Sequence, residues 1–118
     1  MTMRRTRLSR EVFTASFKVA RRFRAIGAQV LYVPSDDYRA SVVVPKKVAP
    51  LAVSRNYIRR RVYALLATLH KEEALSGHII IMFLPESKKI PLKDVLVSIE
   101  GTLRTHLRTH LPPKKDMR

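Results

Sequence analysis

Arg39-Ala40-Ser41-Val42-Val43-Val44-Pro45 and His78-Ile79-Ile80-Ile81-Met82-Phe83-Leu84 are two strand-like runs, and one long helical pattern lies between them. β-Branched residues fill the centre of both runs, where they suit a pleated surface. The second run is almost continuously apolar, which predicts a strand buried on both faces. Between them Ile58, Val62, Leu65, Leu66 and Leu69 recur at spacings of 4, 3, 1 and 3, predicting a helix over residues 53–71. Pro45 closes the first strand, and Ser76-Gly77 turns the chain before the second. A helix between two strands is the pattern of a crossover connection.

Working upstream, Pro34-Ser35-Asp36-Asp37 has turn chemistry, and Val30, Leu31, Tyr32 and Val33 centre a strand over residues 25–33. Ser9 can cap a helix with apolar positions Val12, Phe13, Phe17 and Ala20, ending near Arg21-Arg22. An additional short strand is compatible with Arg22–Ala25. Downstream, Pro85 to Lys89 reads as loop, and Pro91 suits the first turn of a last helix. Leu92, Val95, Leu96, Ile99, Leu103 and Leu107 form its stripe, and Pro112-Pro113 ends it. The expected fold is α+β, a two-layer α/β sandwich in the order α-β-β-(β)-α-β-α. All of residues 1–118 are expected to form one domain. A basic arm (1–8) and a tail (112–118) are expected to be mobile.

The chain has 118 residues, enough for one domain with a sizeable core. With no cysteine it has no disulfide, thiolate metal site or cysteine nucleophile. Lys and Arg total 24 against 9 Asp and Glu, a net charge of +15, yet 46% of residues are apolar. A folded core with that charge calls for a polyanionic partner, nucleic acid first and an anionic membrane surface second. No apolar run approaches the ~20 residues that span a bilayer. The basic start resembles a signal n-region, but no apolar segment follows it. Three glycines leave no room for a phosphate-cradling loop.

The charge is concentrated. No acidic residue lies between Asp37 and Glu72, a window holding Arg39, Lys46, Lys47, Arg55, Arg59, Arg60 and Arg61. On the long helix Asn56, Arg60 and Tyr63 are expected opposite the Ile58 stripe, with Arg59 on their flank. Arg55 and Asn56 fall in its first turn, where free N–H groups favour phosphate. Ordinary solvated faces mix both signs, whereas this one carries a single sign, which points to phosphate binding. Phe13 and Phe17 share one helix face, either as core or as a stacking platform for unpaired bases. Tyr32 is a second candidate for such a platform. His106 and His110 have metal spacing but no third ligand, and Glu72-Glu73 lacks a catalytic partner. No catalytic residues and no protein-bound metal are expected.

Val44-Pro45-Lys46-Lys47, followed after seven residues by Arg55-Asn56-Tyr57-Ile58-Arg59-Arg60, resembles the signature of the bacterial ribonuclease P protein subunit. The resemblance runs from about Leu8 to Leu107 and includes the Phe13/Phe17 pair, Arg21-Arg22 and Val30 to Tyr32. It implies a fold like the second domain of ribosomal protein S5, with a left-handed β-α-β crossover. It also implies that a catalytic RNA, with magnesium bound mainly by that RNA, removes the 5′ leader of precursor tRNA. The protein would support this by binding the RNA and the leader in the cytoplasm, with no membrane and no obligate protein partner. Arg55, Asn56, Tyr57, Arg59, Arg60, Arg61 and Tyr63 would contact RNA. Phe13, Phe17, Tyr32, Lys46 and Lys47 would line a leader-binding cleft. Several positions depart from the motif. Tyr57 stands where it has a second arginine, and Arg59 replaces a lysine. Tyr63-Ala64 replaces an Arg-Glu pair, Pro45 a serine, and Ser41 a glycine. The alternative is a ribosomal or other structural RNA-binding protein of similar fold. A stand-alone nuclease lacks its carboxylates or histidines, and a membrane binder would need the apolar stripe that the core uses.

Overall fold

The computed structural model describes residues 11, 15, 18–35, 37–73 and 75–106. Its elements are β1 (Arg21–Ala25), β2 (Ala28–Val33), β3 (Arg39–Val43), α1 (Ala52–Glu73), β4 (His78–Phe83), a 3₁₀ helix (Pro85–Lys89) and α2 (Leu92–His106). Glu11, Ala15, Lys18 and Val19 are helical and exposed. The expected arm, the tail, and Phe13 and Phe17 lie outside the described residues.

The four strands form one sheet in the order β1-β2-β4-β3. β4 pairs antiparallel with β2, placing Tyr32 opposite Ile79, and parallel with β3, placing Ala40 opposite Ile79. α1 is therefore the crossover that joins two adjacent parallel strands, as the alternating pattern of residues 39–84 implies. β4 is central, which explains its unbroken apolar run: Ile79, Ile80 and Ile81 are all essentially inaccessible.

Ala28, Val30, Ile79, Ile81, Phe83, Ala40 and Val42 belong to the core cluster, with Val62, Leu66 and Leu69 of α1 and Val95, Ile99 and Leu103 of α2. Leu31 and Ile80 are equally buried but stand outside that cluster, as the two-residue period of a strand requires of their opposite face.

The expected single strand over 25–33 is two strands. Ala25 pairs with Ala28, so Ile26-Gly27 is a two-residue hairpin connection, and Gly27 adopts φ +78°. Only a residue without Cβ takes that conformation without strain. The optional strand at Arg22–Ala25 is thus real, and it begins at Arg21, where the expected helix would still be ending. The segment Pro85–Lys89 is a 3₁₀ helix rather than loop, with Pro at its start and the Ser87 N–H donating to Leu84 O (2.9 Å).

α1 has 22 residues and is about 33 Å long at 1.5 Å per residue. Strands of five or six residues span only about 20 Å. The surplus falls at the N-terminal end of the helix: no α1 residue before Val62 is buried, and Val53 is 71% exposed. Among the first ten residues of α1, Ile58 packs against the core cluster and none is fully buried.

Gly77 adopts φ +93°, and a Cβ there would lie 2.5 Å from Tyr32 Cε1 and 2.8 Å from the Val33 carbonyl oxygen. Gly77→Ala should therefore cost at least about 2 kcal/mol, read as a lowered urea midpoint with unchanged m.

Candidate nucleic-acid interface

The surface begins where β3 ends. Pro45 accepts the N–H groups of Val48 (2.9 Å) and Ala49 (3.2 Å), closing a turn that exposes Lys46 and Lys47 while burying Val48 and Ala49. The Arg55 Nη1 donates to Ala49 O (3.0 Å) and Pro50 O (2.8 Å). This arginine ties the turn to the first turns of α1. Val48 and Ile58 line one cavity, so the lysine-bearing loop lies against the second turn of the helix.

Along α1, Asn56 Oδ1 accepts a hydrogen bond from the Arg59 Nη2. Tyr57 Oη accepts one from Arg61 Nη1 at 2.8 Å, and the Arg61 guanidinium lies 5.8 Å from the Tyr57 ring centroid. Arg60 is exposed and has no ion pair among the described residues. The helix thus presents Arg59, Arg60 and Arg61 in succession, with Asn56 and Tyr57 propping two of them in place. Four acidic side chains are engaged by arginines outside this stretch. Asp37 pairs with Arg39 (3.0 Å) and Glu86 with Arg24 (3.1 Å), while Glu72 and Glu100 share Arg104. Such exposed pairs contribute little stability. The stretch from Lys46 to Arg61 holds no acidic residue of its own, and Glu100, which lines a groove with Arg61, is paired with Arg104.

Two expected members are placed differently. Tyr63 does not project away from the core. It is half-buried against it, and its hydroxyl accepts the Val42 N–H at 3.2 Å. β3 is an edge strand, and this bond satisfies one donor on its open side. Helical periodicity places Tyr63 on the flank of Arg59, but a tyrosine is long enough to reach back to the sheet edge. Tyr32 is only 6% exposed and sits in the core cluster. Burial raises its phenol pKa, partly offset by the Ser76 hydrogen bond and the nearby Arg21. Its register opposite Ile79, level with Ala40, puts it at the start of β3, whereas Lys46 and Lys47 follow the end of that strand. Tyr32 does not offer a ring face beside the lysines.

Among the described residues no group of three His, Cys, Asp or Glu could hold a metal ion, and no helix is long and apolar enough to cross a membrane. The carboxylates of Glu72 and Glu100 both pair with the Arg104 guanidinium, which occupies the place between them.

A small α+β domain whose turn after β3 and helix start carry six cations and no acidic residue in sequence has the charge pattern that suits a polyanion. The ribonuclease P family model matches residues 2–107, and the chain belongs to that family. It is 32% identical over 75 residues to the ribonuclease P protein component of Thermus aquaticus, covering 64% of this chain and 44% of that protein. The match therefore spans less than half the length of that relative. The fold is similar to the RNase P protein of Staphylococcus aureus, with TM-score 0.73 and 23% identity over 85% of this chain and 94% of that one. It is also similar to the RNase P protein from Thermotoga maritima, with TM-score 0.69 and 21% identity over 87% and 96%.

Tyr63→Phe should lower stability by about 1 kcal/mol through removal of the acceptor, with faster hydrogen exchange at the Val42 amide. An unchanged Val42 exchange rate would show that the bond contributes nothing.

Proposed function

We propose that this chain is the protein subunit of ribonuclease P, binding the catalytic RNA and the 5′ leader of precursor tRNA so that the RNA removes the leader. The observation that carries the reading is the Lys46–Arg61 surface: six cations on one turn and one helix start, with no acidic residue in the same stretch. Family membership gives that surface its RNA partner.

In this reading Arg59 and Arg60 take phosphates, arginine being suited to bidentate contact. Arg61 acts with Tyr57, whose exposed ring offers a stacking face. Arg55 has a double role. Its Nη1 holds the loop carbonyls, and the remaining guanidinium donors are left for phosphate. Lys46 and Lys47 sit at the leader side. Phe13 and Phe17 complete the leader cleft in this proposal, by their place in the motif. Magnesium belongs to the RNA component, which carries the bond-breaking chemistry. The protein offsets repulsion between two polyanions and holds the leader. The cytoplasm is the compartment this reading requires, and it needs neither a membrane nor a second protein.

Arg59→Ala/Arg60→Ala should weaken binding to a bacterial ribonuclease P RNA and flatten the slope of log K against log salt by about 1.4, at ~0.7 for each phosphate no longer neutralised. Filter binding at several salt concentrations reads both quantities. An unchanged slope with a folded variant contradicts the proposed face. Phe17→Ala should weaken binding of leader-bearing tRNA more than binding of mature tRNA, and equal weakening of both would return Phe17 to packing alone.

A further inference from the structure

Between the turn after β3, α1, the 3₁₀ helix and the start of α2 lies a cavity of about 160 Å³. Val48, Ile58, Phe83 and Leu92 are among its walls, and Ser87 and Lys88 supply its polar side. The Ser87 side-chain hydroxyl is buried and has no hydrogen-bond partner among the described residues. Its backbone is fully engaged: the N–H donates to Leu84 O at 2.9 Å and the carbonyl accepts the Ile90 N–H at 3.1 Å. The Cβ is also confined, lying 3.1 Å from where a Cβ on Gly27 would stand. The hydroxyl is thus held rigidly in an apolar surround with its hydrogen-bonding capacity unspent. Buried polar groups are rarely left so, and one that lines a cavity points to an absent partner.

Size, shape and charge agree on the partner. A space of ~150 Å³ in a core accepts one six-membered aromatic ring. Phe83 gives an aromatic wall, and aliphatic side chains give the others. A serine hydroxyl both donates and accepts, so it can meet the polar edge of a base in either sense. Lys88 lines the cavity and is exposed, Lys47 adjoins the lining residue Val48 and Lys89 follows Lys88, while Asp94 adjoins the lining residue Val95. The one acidic side chain of the 3₁₀ helix, Glu86, is engaged by Arg24 at 3.1 Å.

We propose that this cavity takes one unpaired pyrimidine base of the bound RNA, with Ser87 Oγ on the base edge and Lys88 toward its phosphate. The proposal rests on the RNA-binding reading and adds to it a site for a single extruded base.

The test uses the full chain with labelled methyl groups, titrated with cytidine or uridine 5′-monophosphate, with ribose 5-phosphate, and with benzene. The methyl signals of Val48, Ile58 and Leu92 should move with the pyrimidine nucleotides and stay still with ribose 5-phosphate. Ser87→Ala should weaken that response roughly threefold to tenfold without lowering Tm, because the hydroxyl makes no bond in the free protein. Cavity methyls that stay still, or that move equally with ribose 5-phosphate, overturn the assignment. Movement with benzene but not with nucleotide also overturns it and marks a socket for an apolar side chain of a protein partner. A lowered Tm in Ser87→Ala with an unchanged nucleotide response would make the hydroxyl purely structural and overturn its role. Binding of ribonuclease P RNA is measured on the same samples. Tight RNA binding with still cavity methyls sinks the cavity alone, whereas absent RNA binding sinks the functional reading.

Discussion

The parallel pairing of β3 with β4 is the constraint on which the rest of the molecule depends. Two adjacent parallel strands cannot be joined by a tight turn, so the chain must leave one end of the sheet and return to the other. α1 makes that return, and at 22 residues it is longer than the strands it crosses. Its C-terminal half carries Val62, Leu66 and Leu69 into the core, and the residues before Val62 are not buried. The basic residues sit in that N-terminal part. Arg59, Arg60 and Arg61 can share one short segment because none of them has to be taken out of water there.

The same geometry explains how the lysines of the β3 exit and the arginines of the helix come to form one surface. The turn after Pro45 buries Val48 and Ala49, which pins Lys46 and Lys47 outward. Arg55 then binds the carbonyls of Ala49 and Pro50, so a cation secures the loop that presents other cations. Tyr63 fixes the far side by reaching from α1 to the Val42 N–H on the open edge of β3. The self-repulsion of such a cluster is borne by a frame with a large apolar core on its other side, and a polyanion relieves it.

Much of this was legible in the residues. The apolar run at 78–84 and the five-residue stripe of the helix mark the crossover, and the structure extends the helix by only one or two residues at each end. The acid-free stretch from Tyr38 to Lys71 marks the basic surface without any structure. What periodicity could not resolve was local. The run from Ala25 to Val33 reads as one strand until a positive φ at Gly27 folds it into a hairpin. Tyr63 lies on the polar side of a helical projection, yet its reach carries it to the sheet. Tyr32 has the residue type of a stacking platform, but its parity with Val30 along β2 turns it into the core. Ser87 gave no signal in a segment that read as loop, because its burial depends on the turn at Gly27 packing over it.

The central claim is that this protein supports a cleavage carried out by an RNA. Reconstitution tests it most directly: the purified chain is mixed with a bacterial ribonuclease P RNA at low magnesium and near-physiological salt, and cleavage of 5′-labelled precursor tRNA is followed. The account predicts cleavage at the mature 5′ end only when both components are present. Cleavage by the protein alone, or no stimulation of the RNA despite tight binding, would contradict it.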